Sequence, residues 1–473
     1  MRLNYCLLLV FFLWKSICIG QIQDTIYTEI DSSFVAIDTT AIVESANDII
    51  NVKALNKIFR KLQELDITKK QVNIVHIGDS HIQADLFSGY MRRALQEKFG
   101  NAGRGFVFPL TLARTNGVHD VRFSTNISWE SQRVIYPNTG NPVGLSGMAL
   151  FSKSKDFVLE MQVRGVENEF KVLKIITPQN QKMFDVATAS KTIVIENAVP
   201  KKITHKIKKG EVLSIIADKY DISVAAIKKA NGLKNNTIRA GKTLIIPTQQ
   251  MENRKVERSE FIPLETLTEN NYHVFQSDVS LNKIYFLPNK DAVSYELNGL
   301  VLENSNPGIL YHSIGINGAK CSDYNKFPLF FDQIPALNPD LIIISLGTNE
   351  SFDKMSSADF MLQLDTMVMS IREKNPEVGI VITTPPPSLF KRKFPNVFVA
   401  AYSKDILSNA IVKNYAVWDM FSVLGGLFSV NRNFANGFMS SDKVHYSKAG
   451  YERQGQQFFE AFYNAYVNFK SAE

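Results

Sequence analysis

The 473-residue chain has only three cysteines, and this scarcity excludes an architecture held together by disulfides. Cys6 and Cys18 fall in an apolar N-terminal segment, which leaves Cys321 as the only thiol of the remaining chain. A single thiol cannot form an internal disulfide, and Cys321 lacks the local pattern of a known nucleophile. We therefore predict that Cys321 is a small packed residue and that stability comes from core packing.

Long apolar runs are also missing. The N-terminal run Leu3–Trp14 is shorter than the ~20 apolar residues that a membrane-spanning helix needs. Because Arg2 precedes this run and small residues lead to Gln21, the pattern predicts a signal peptide over 1–20, with an uncleaved anchor as the alternative. We expect an exported protein of the periplasm or cell envelope, with no stable membrane span after signal removal.

The chain has no dense basic stripe. Its net charge of +7 falls to +5 if Arg2 and Lys15 leave with the signal peptide. Nucleic-acid-binding proteins more often concentrate Lys and Arg on one face, with aromatic residues between them, so no nucleic-acid partner is predicted. The seven histidines show no paired ligand spacing such as His-Glu-x-x-His, and we predict neither a metal nor an organic cofactor.

Short apolar runs, by contrast, recur between helical patterns. The runs that we interpret as buried strands are Val72–Ile77, Leu341–Leu346, Val378–Thr384 and Tyr415–Trp418. The first is followed by helical spacing over Ala84–Phe99. Continuous apolar strands that alternate with helices predict an α/β fold with a parallel sheet covered on both faces.

The middle of the chain has a different texture. Residues 109–304 contain short alternating stretches broken by turn residues, which predict an inserted antiparallel β-sandwich domain. A strand-helix-helix-strand pattern over 203–247 is nested inside it. We assign 21–49 to a flexible leader and 50–108 and 305–473 to the two parts of the α/β core.

Two motifs carry the chemistry of a serine hydrolase. Gly78-Asp79-Ser80 lies at the carboxyl end of the first strand, where open parallel sheets bind their ligands. Asp442 precedes His445 by three residues, directly before the last helix. A nucleophilic serine needs a base to take its proton and an acid to orient that base, so we predict a catalytic set of Ser80, His445 and Asp442.

Two glycine turns complete the pattern. Gly315-Ile-Asn-Gly318 and Gly347-Thr-Asn349-Glu350 each follow a strand-like run. A backbone N–H at a glycine and a side-chain amide are suitable donors for an oxyanion hole. Each turn alone would be ordinary loop chemistry, but together they match the needs of acyl transfer.

These blocks resemble the SGNH (GDSL-like) hydrolase superfamily, which implies a flavodoxin-like three-layer α/β/α fold over 50–108 and 305–473. The resemblance implies Ser80 as nucleophile, Gly318 and Asn349 as oxyanion donors, and Asp442 with His445 as the acid–base pair. Three positions depart from the common pattern: His81 replaces Leu, Glu350 replaces Asp, and Tyr446 replaces Pro. These departures argue against lipase activity but remove no catalytic atom.

The nested segment resembles a LysM module, a β-α-α-β unit that binds polymers of N-acetylglucosamine. The resemblance implies glycan contacts from two loops, at Gly210, Glu211, Val212 and Leu213 and at Asn231, Gly232, Leu233 and Lys234. Val212 stands where Thr or Ser is usual, which weakens one polar contact.

Taken together, the resemblances imply a serine esterase that removes acyl groups, O-acetyl above all, from peptidoglycan or another N-acetylglucosamine-containing glycan. The alternatives are an esterase for non-wall acetylated polysaccharide or lipid esters, and a non-catalytic peptidoglycan-binding protein on the same scaffold.

Overall fold

The computed structural model describes residues 47–195, 199–252 and 257–472. The predicted signal peptide and all but the last three residues of the predicted leader lie outside the described residues. None of the helices in these ranges combines the length and the apolar character that crossing a membrane requires.

The chain first builds one part of an α/β core. Its elements are β1 (Ile49–Ile50), α1 (Asn56–Gln63), α2 (Leu65–Thr68), β2 (Gln71–Gly78), α3 (Ser80–Gln83) and α4 (Phe87–Phe99). The predicted helix over 84–99 begins only at Phe87, because Asp85 adopts a left-handed φ of +52°. β1 includes Ile49, whose backbone pairs with Trp418 far along the chain.

A β domain follows, and a small module interrupts it. The strands before the module are β3 (Gly105–Val107), β4 (Val121–Thr125), β5 (Glu130–Arg133), β6 (Met148–Ser152), β7 (Leu159–Val163), β8 (Phe170–Ile176) and β9 (Phe184–Thr188). The module consists of β10 (Val199–Lys206), α5 (Leu213–Lys219), α6 (Val224–Asn231) and β11 (Thr243–Glu252). β10 and β11 pair antiparallel, and the module has a hydrophobic cluster of its own, as the β-α-α-β pattern predicts.

The β domain then resumes with β12 (Ile262–Leu264), β13 (Leu267–Thr268), β14 (His273–Leu281), β15 (Lys283–Pro288), β16 (Tyr295–Leu297) and β17 (Gly299–Glu303). Two five-stranded sheets, ordered β12-β9-β15-β7-β4 and β13-β14-β8-β17-β3, share one hydrophobic cluster, as in a β-sandwich. A three-stranded sheet, β16-β6-β5, accompanies them. Because β3 pairs with β17, the chain enters this domain by Gly105.

The rest of the core follows in chain order. Its elements are β18 (Gly308–Gly315), α7 (Cys321–Asn325), α8 (Pro328–Gln333), β19 (Leu341–Ser345), α9 (Thr348–Phe352), α10 (Ser357–Lys374), β20 (Gly379–Thr383), β21 (Leu389–Phe390), β22 (Phe394–Pro395), α11 (Val397–Asn409), β23 (Ala416–Trp418), α12 (Met420–Val423), α13 (Val430–Ala435) and α14 (Lys448–Ala472).

The central sheet has the order β1-β23-β20-β19-β2-β18. All its neighbouring strands are parallel except β1, which forms an antiparallel edge that the sequence did not reveal. Successive residues of β2 enter different hydrophobic clusters, Ile74 in one and Val75 in the other. The sheet is therefore covered on both faces, which confirms the predicted three-layer α/β/α core.

Candidate active site

Ser80 lies at the carboxyl edge of the central sheet, as the first residue of α3 directly after β2. This tight strand-to-helix turn depends on Gly78, because a Cβ there would lie 2.4 Å from Ile82 Cγ1 and 2.8 Å from the Ser345 carbonyl oxygen. The Asp79 side chain caps the short helix by accepting the His81 N–H at 2.9 Å. The serine is thus fixed where parallel sheets place their ligands.

The three predicted catalytic residues lie in a row, with His445 within hydrogen-bonding distance of both Ser80 and Asp442. Ser80 Oγ lies 2.8 Å from His445 Nε2, and His445 Nδ1 lies 2.7 Å from Asp442 Oδ2. Because an ionised carboxylate can only accept, the Nδ1 atom carries the proton and Nε2 is free to accept the serine proton. This is the arrangement that a general base for serine requires.

The loop that carries Asp442 and His445 is organised by the same carboxylate. Asp442 Oδ1 accepts the N–H groups of Val444 at 2.9 Å and His445 at 3.0 Å. Lys443, which lies between Asp442 and Val444, has a φ of +57°. Burial alone would raise the pKa of Asp442, but the hydrogen bonds from the His445 ring and from the two backbone N–H groups lower it. The carboxylate therefore stays ionised at neutral pH.

Gly318 and Asn349 come from the turns after β18 and β19, on the same sheet edge as Ser80. Gly318 is exposed, has a φ of +83° and has open space around its α-carbon. Within the described ranges, neither its N–H nor that of Ser80 donates a hydrogen bond to the protein. Both N–H groups are therefore available to a ligand.

Asn349 differs from these two donors because its amide already has partners. Its Nδ2 donates to Asp79 Oδ2 at 3.1 Å and to the Ala319 carbonyl oxygen at 3.0 Å. These contacts fix the amide beside the nucleophile turn, and an oxyanion would have to share one of its hydrogens. Burial, followed by the nearby Glu350 carboxylate, raises the pKa of Asp79 to about 8.

His81, which the sequence analysis noted only as a departure, lies beside the base. Its ring centroid is 5.3 Å from that of His445, and its Nδ1 is 2.9 Å from the Tyr451 hydroxyl. Burial, with a smaller effect from His445, lowers the pKa of His81 to about 3, so this ring is neutral. Tyr446, the departure at the proline position, donates to the Pro387 carbonyl oxygen at 3.0 Å. No local sequence signal indicates these two contacts, which join residues 370 and 59 positions apart.

Glu350 and Cys321 form a buried contact under the Asn349 turn. Glu350 Oε1 accepts the Cys321 N–H at 2.8 Å, and both side chains are fully buried. Cys321 is a packed free cysteine, as predicted. Burial is the main cause that raises the pKa of Glu350 to about 7.

The raised pKa of Glu350 predicts a stability that depends on pH. Between about pH 4.5 and pH 7 the folded protein keeps a proton that the unfolded chain releases, so the free energy of unfolding falls as pH rises through this window. Glu350→Gln keeps an acceptor for the Cys321 N–H and cannot ionise. We expect this variant to gain up to about 3 kcal/mol over the wild type between pH 5 and pH 8, measured by urea unfolding. The exposed Glu97→Gln should follow the wild type, and parallel curves for Glu350→Gln would contradict the prediction.

The eight predicted glycan-contacting residues of the small module divide by exposure. Gly210, Val212, Gly232 and Lys234 are exposed, whereas Leu213 is buried in the module's core. Glu211, Asn231 and Leu233 are partly buried, and Leu233 packs against that core.

Two of the predicted glycan-contacting residues, Asn231 and Glu211, use their side chains for hydrogen bonds within the module. Asn231 bonds to both backbone groups of Ile245 at 2.7 Å, which ties α6 to β11. The Glu211 carboxylate accepts from His205 Nε2 at 2.8 Å and from the Lys208 N–H at 2.7 Å. These side chains shape the two loops, so the exposed members of the set carry the candidate glycan surface.

The chain matches two family models. The LysM domain model matches residues 205–247, and the GDSL-like Lipase/Acylhydrolase family model matches residues 297–453. A solved structure of a peptidoglycan O-acetylesterase is 18% identical and covers 87% of this chain and 96% of its own, with a TM-score of 0.59. This last likeness concerns the fold.

Two curated proteins are also similar. The probable N-acetylmuramoyl-L-alanine amidase AmiB of Haemophilus influenzae is 27% identical over 155 residues, which are 33% of this chain and 32% of that protein. The N-acetylmuramoyl-L-alanine amidase XlyA of Bacillus subtilis is 30% identical over 105 residues, 20% of this chain and 34% of that protein. The chain thus spans about a third of the length of the curated relatives it matches.

The fold of the core and the family model that matches residues 297–453 show the class of protein that this chain resembles, the GDSL-like lipases and acylhydrolases. More particularly, it carries a GDSL-like lipase/acylhydrolase domain together with a LysM domain, which confirms both predicted resemblances. Among the described residues, no group of three or more His, Cys, Asp or Glu side chains is arranged to hold a metal ion.

Proposed function

We propose that the protein is an exported serine esterase of the cell envelope that removes O-acetyl groups from peptidoglycan or a related N-acetylglucosamine-containing glycan. The observation that carries this proposal is the continuous hydrogen-bonded set of Ser80, His445 and Asp442 at the carboxyl edge of the sheet. Export rests on the signal-peptide pattern of residues 1–20.

The proposed reaction follows from this geometry. Ser80 Oγ attacks the ester carbonyl carbon while His445 Nε2 takes the serine proton, and Asp442 holds the imidazole through its Nδ1–H. The tetrahedral oxyanion receives hydrogen bonds from the Ser80 and Gly318 N–H groups and from Asn349 Nδ2. The bond between the acyl carbon and the sugar oxygen then breaks, and His445 gives its proton to that oxygen, which leaves as the sugar hydroxyl and leaves an acetyl-serine. Water, deprotonated by His445, releases acetate and restores Ser80.

The substrate class is inferred from the second domain. LysM domains bind glycans that contain N-acetylglucosamine, and a protein of similar fold is a peptidoglycan O-acetylesterase. A module that holds the enzyme on the wall would raise the local concentration of acetylated sugars at the catalytic site.

The direct test is acetate release from O-acetylated peptidoglycan by the mature protein, with Ser80→Ala as the blank. Acetylated xylan, a small aryl acetate and a long-chain aryl ester serve as comparison substrates. Faster release from peptidoglycan than from xylan supports the proposal. Preference for xylan or for the long-chain ester would move the assignment to the corresponding alternative. A lack of hydrolysis on every substrate, with no fluorophosphonate labelling of Ser80, would favour the non-catalytic wall-binding protein.

Glycan binding by the LysM domain is tested separately from catalysis. In a Ser80→Ala background, Val212→Glu places a charge on the half-exposed valine of the first loop. We expect it to reduce co-sedimentation with insoluble peptidoglycan by about tenfold, since an unpaired carboxylate must lose its hydration against the sugar. Val293→Glu alters an exposed valine of the β domain and should sediment like its parent. Equal sedimentation of both variants would exclude this loop from the binding surface.

A further inference from the structure

The Gln83 side chain connects three parts of the active-site region. It is the last residue of α3, three positions after Ser80, and is only 3% exposed. Its Oε1 accepts the Asn317 N–H at 2.7 Å. Its Nε2 lies within 2.9 Å of Thr115 Oγ1 and of both oxygens of Asn116. Because one side of the amide faces an N–H and the other faces oxygens, its orientation is determined by its surroundings.

The Asn317 bond holds the turn that presents Gly318. The Ala319 N–H donates to the Ile316 carbonyl oxygen at 3.0 Å, so Asn317 and Gly318 are the two central residues. The φ of +83° at Gly318, with Asn317 outside the left-handed region, defines a type II turn.

The type of this turn decides where the Gly318 N–H points. In a type I turn with the same ends, the peptide between the central residues is rotated by roughly half a turn, which would direct that N–H to the opposite side. Gln83 bonds to the N–H that immediately precedes this peptide. Its hydrogen bond therefore holds the first central residue of the turn that presents Gly318 beside α3, the helix that begins at Ser80.

The inserted β domain holds Gln83 in turn. Thr115 and Asn116 lie in the segment between β3 and β4, and Asn116 Oδ1 also accepts from Asn317 Nδ2 at 2.6 Å. The end of β18 packs directly on α3, since a Cβ on Gly315 would lie 2.2 Å from Gln83 N. The insert, α3 and the Gly318 turn thus form one polar cluster at the catalytic edge.

We infer that Gln83 is a positioning residue that holds the Asn317–Gly318 turn in place beside Ser80, and that Thr115 and Asn116 of the inserted domain hold Gln83 in place. This inference rests on the proposed role of Gly318 as an oxyanion donor. An oxyanion exists only in the transition state, so disturbing the turn lowers kcat more than it changes KM.

The test uses the full mature chain and a small aryl acetate, which needs no glycan contact. Gln83→Met keeps the side-chain length and removes every hydrogen bond. It is expected to lower kcat by about 10–100-fold, with KM within about twofold, since losing an oxyanion donor outright costs ~10²–10³. Gln83→Glu retains an acceptor for the Asn317 N–H and should recover at least part of this loss.

Gln333 offers a matched control for burial and stability. It is a buried amide of α8 that accepts the Leu145 N–H at 2.8 Å and donates to the Thr177 carbonyl oxygen at 3.1 Å, so it also joins the core to the insert. Gln333→Met should lower the thermal midpoint and leave kcat unchanged. If Gln83→Met does not fold, the exposed Asn116→Ala takes its place, with an expected several-fold fall in kcat and an unaltered thermal midpoint.

The outcomes separate the inference from the proposed function. Equal kcat values for Gln83→Met and Gln333→Met, or a loss that appears only in KM, would overturn the positioning role while the wild-type esterase stands. Inactivity of the wild type on all esters would overturn the proposed function and this inference with it.

Discussion

Replacing Ser80 by alanine is expected to lower kcat for acetyl-ester hydrolysis by about 10⁵–10⁶-fold, with little change in KM. The substitution removes the proposed nucleophile, Oγ, which lies 2.8 Å from His445 Nε2. Single-turnover kinetics on an aryl acetate would measure the loss, and a fluorophosphonate probe should label the wild type at Ser80 but not the variant.

His445→Ala is expected to cost as much as Ser80→Ala, and the double variant no more than either. The reason is that Ser80 without a base is a poor nucleophile, while the base without Ser80 has no proton to take, so the two act as a unit. Residual catalysis in all three should be equal, because binding and the oxyanion donors remain. A double variant slower than both single variants by another factor of 10³ would show that the two residues act independently.

Asp442→Asn separates the two uses of this side chain. Its Oδ1 can still accept the N–H groups of Val444 and His445, so the loop should keep its form. The amide nitrogen would face His445 Nδ1 in place of an acceptor, which favours the wrong tautomer and lowers kcat by about 10⁴-fold. Asp442→Ala removes the loop contacts as well. A greater loss of stability in Asp442→Ala than in Asp442→Asn would confirm that the carboxylate both holds the loop and orients His445.

The sequence predicts those parts of the candidate site that depend on local patterns. Ser80 follows an apolar strand directly, and Asp442 and His445 are only three positions apart. Continuous apolar strands also indicated the parallel sheet, because burial on both faces produces an unbroken apolar run of five or six residues. The two-residue antiparallel edge at Ile49–Ile50 is too short to form one.

Other features depend on contacts between distant segments, and local patterns cannot predict them. The bond between Gln83 and Asn317 joins residues 234 positions apart, and that between His81 and Tyr451 joins residues 370 apart. The interruption of the predicted helix at Asp85 has a similar origin, because the Asp85 carboxylate bonds to Arg104 and Ser313 from other parts of the chain. Knowing which residues meet requires knowing how the β domain lies on the core.

Asp85→Ala is expected to lower the free energy of unfolding by about 3–5 kcal/mol. The Asp85 carboxylate is only 6% exposed and accepts from Arg92 at 2.7 Å and from Arg104 at 2.8 Å. The hydroxyls of Ser88 and Ser313 donate to its other oxygen, each at 2.8 Å. Removing the carboxylate leaves two buried guanidinium groups with Asp120 as their remaining acidic partner, which is the situation in which breaking a buried ion pair is most destabilising.

The effect should also depend on pH. Burial alone would raise the pKa of Asp85, but Arg92 and Arg104 lower it well below its usual range. Its stabilising contribution is therefore fully present above the unfolded pKa of about 3.9 and is lost only as pH falls through the lower folded value. Urea unfolding at pH 7 should give the full difference between Asp85→Ala and the wild type, and the difference should shrink in strong acid.

Glu377→Ala provides the comparison, because Glu377 pairs with Lys57 at 2.8 Å on the surface, where the two side chains are 82% and 53% exposed. Such an exposed pair contributes little to stability, since water screens the charges and both side chains lose freedom. A similar small change for Asp85→Ala would mean that the arginines reach water or other acceptors once the carboxylate is gone. The ion cluster joins α4 and β18 to Arg104 and Asp120. A large loss of stability in Asp85→Ala would identify this cluster as a main contact between the α/β core and the inserted domain.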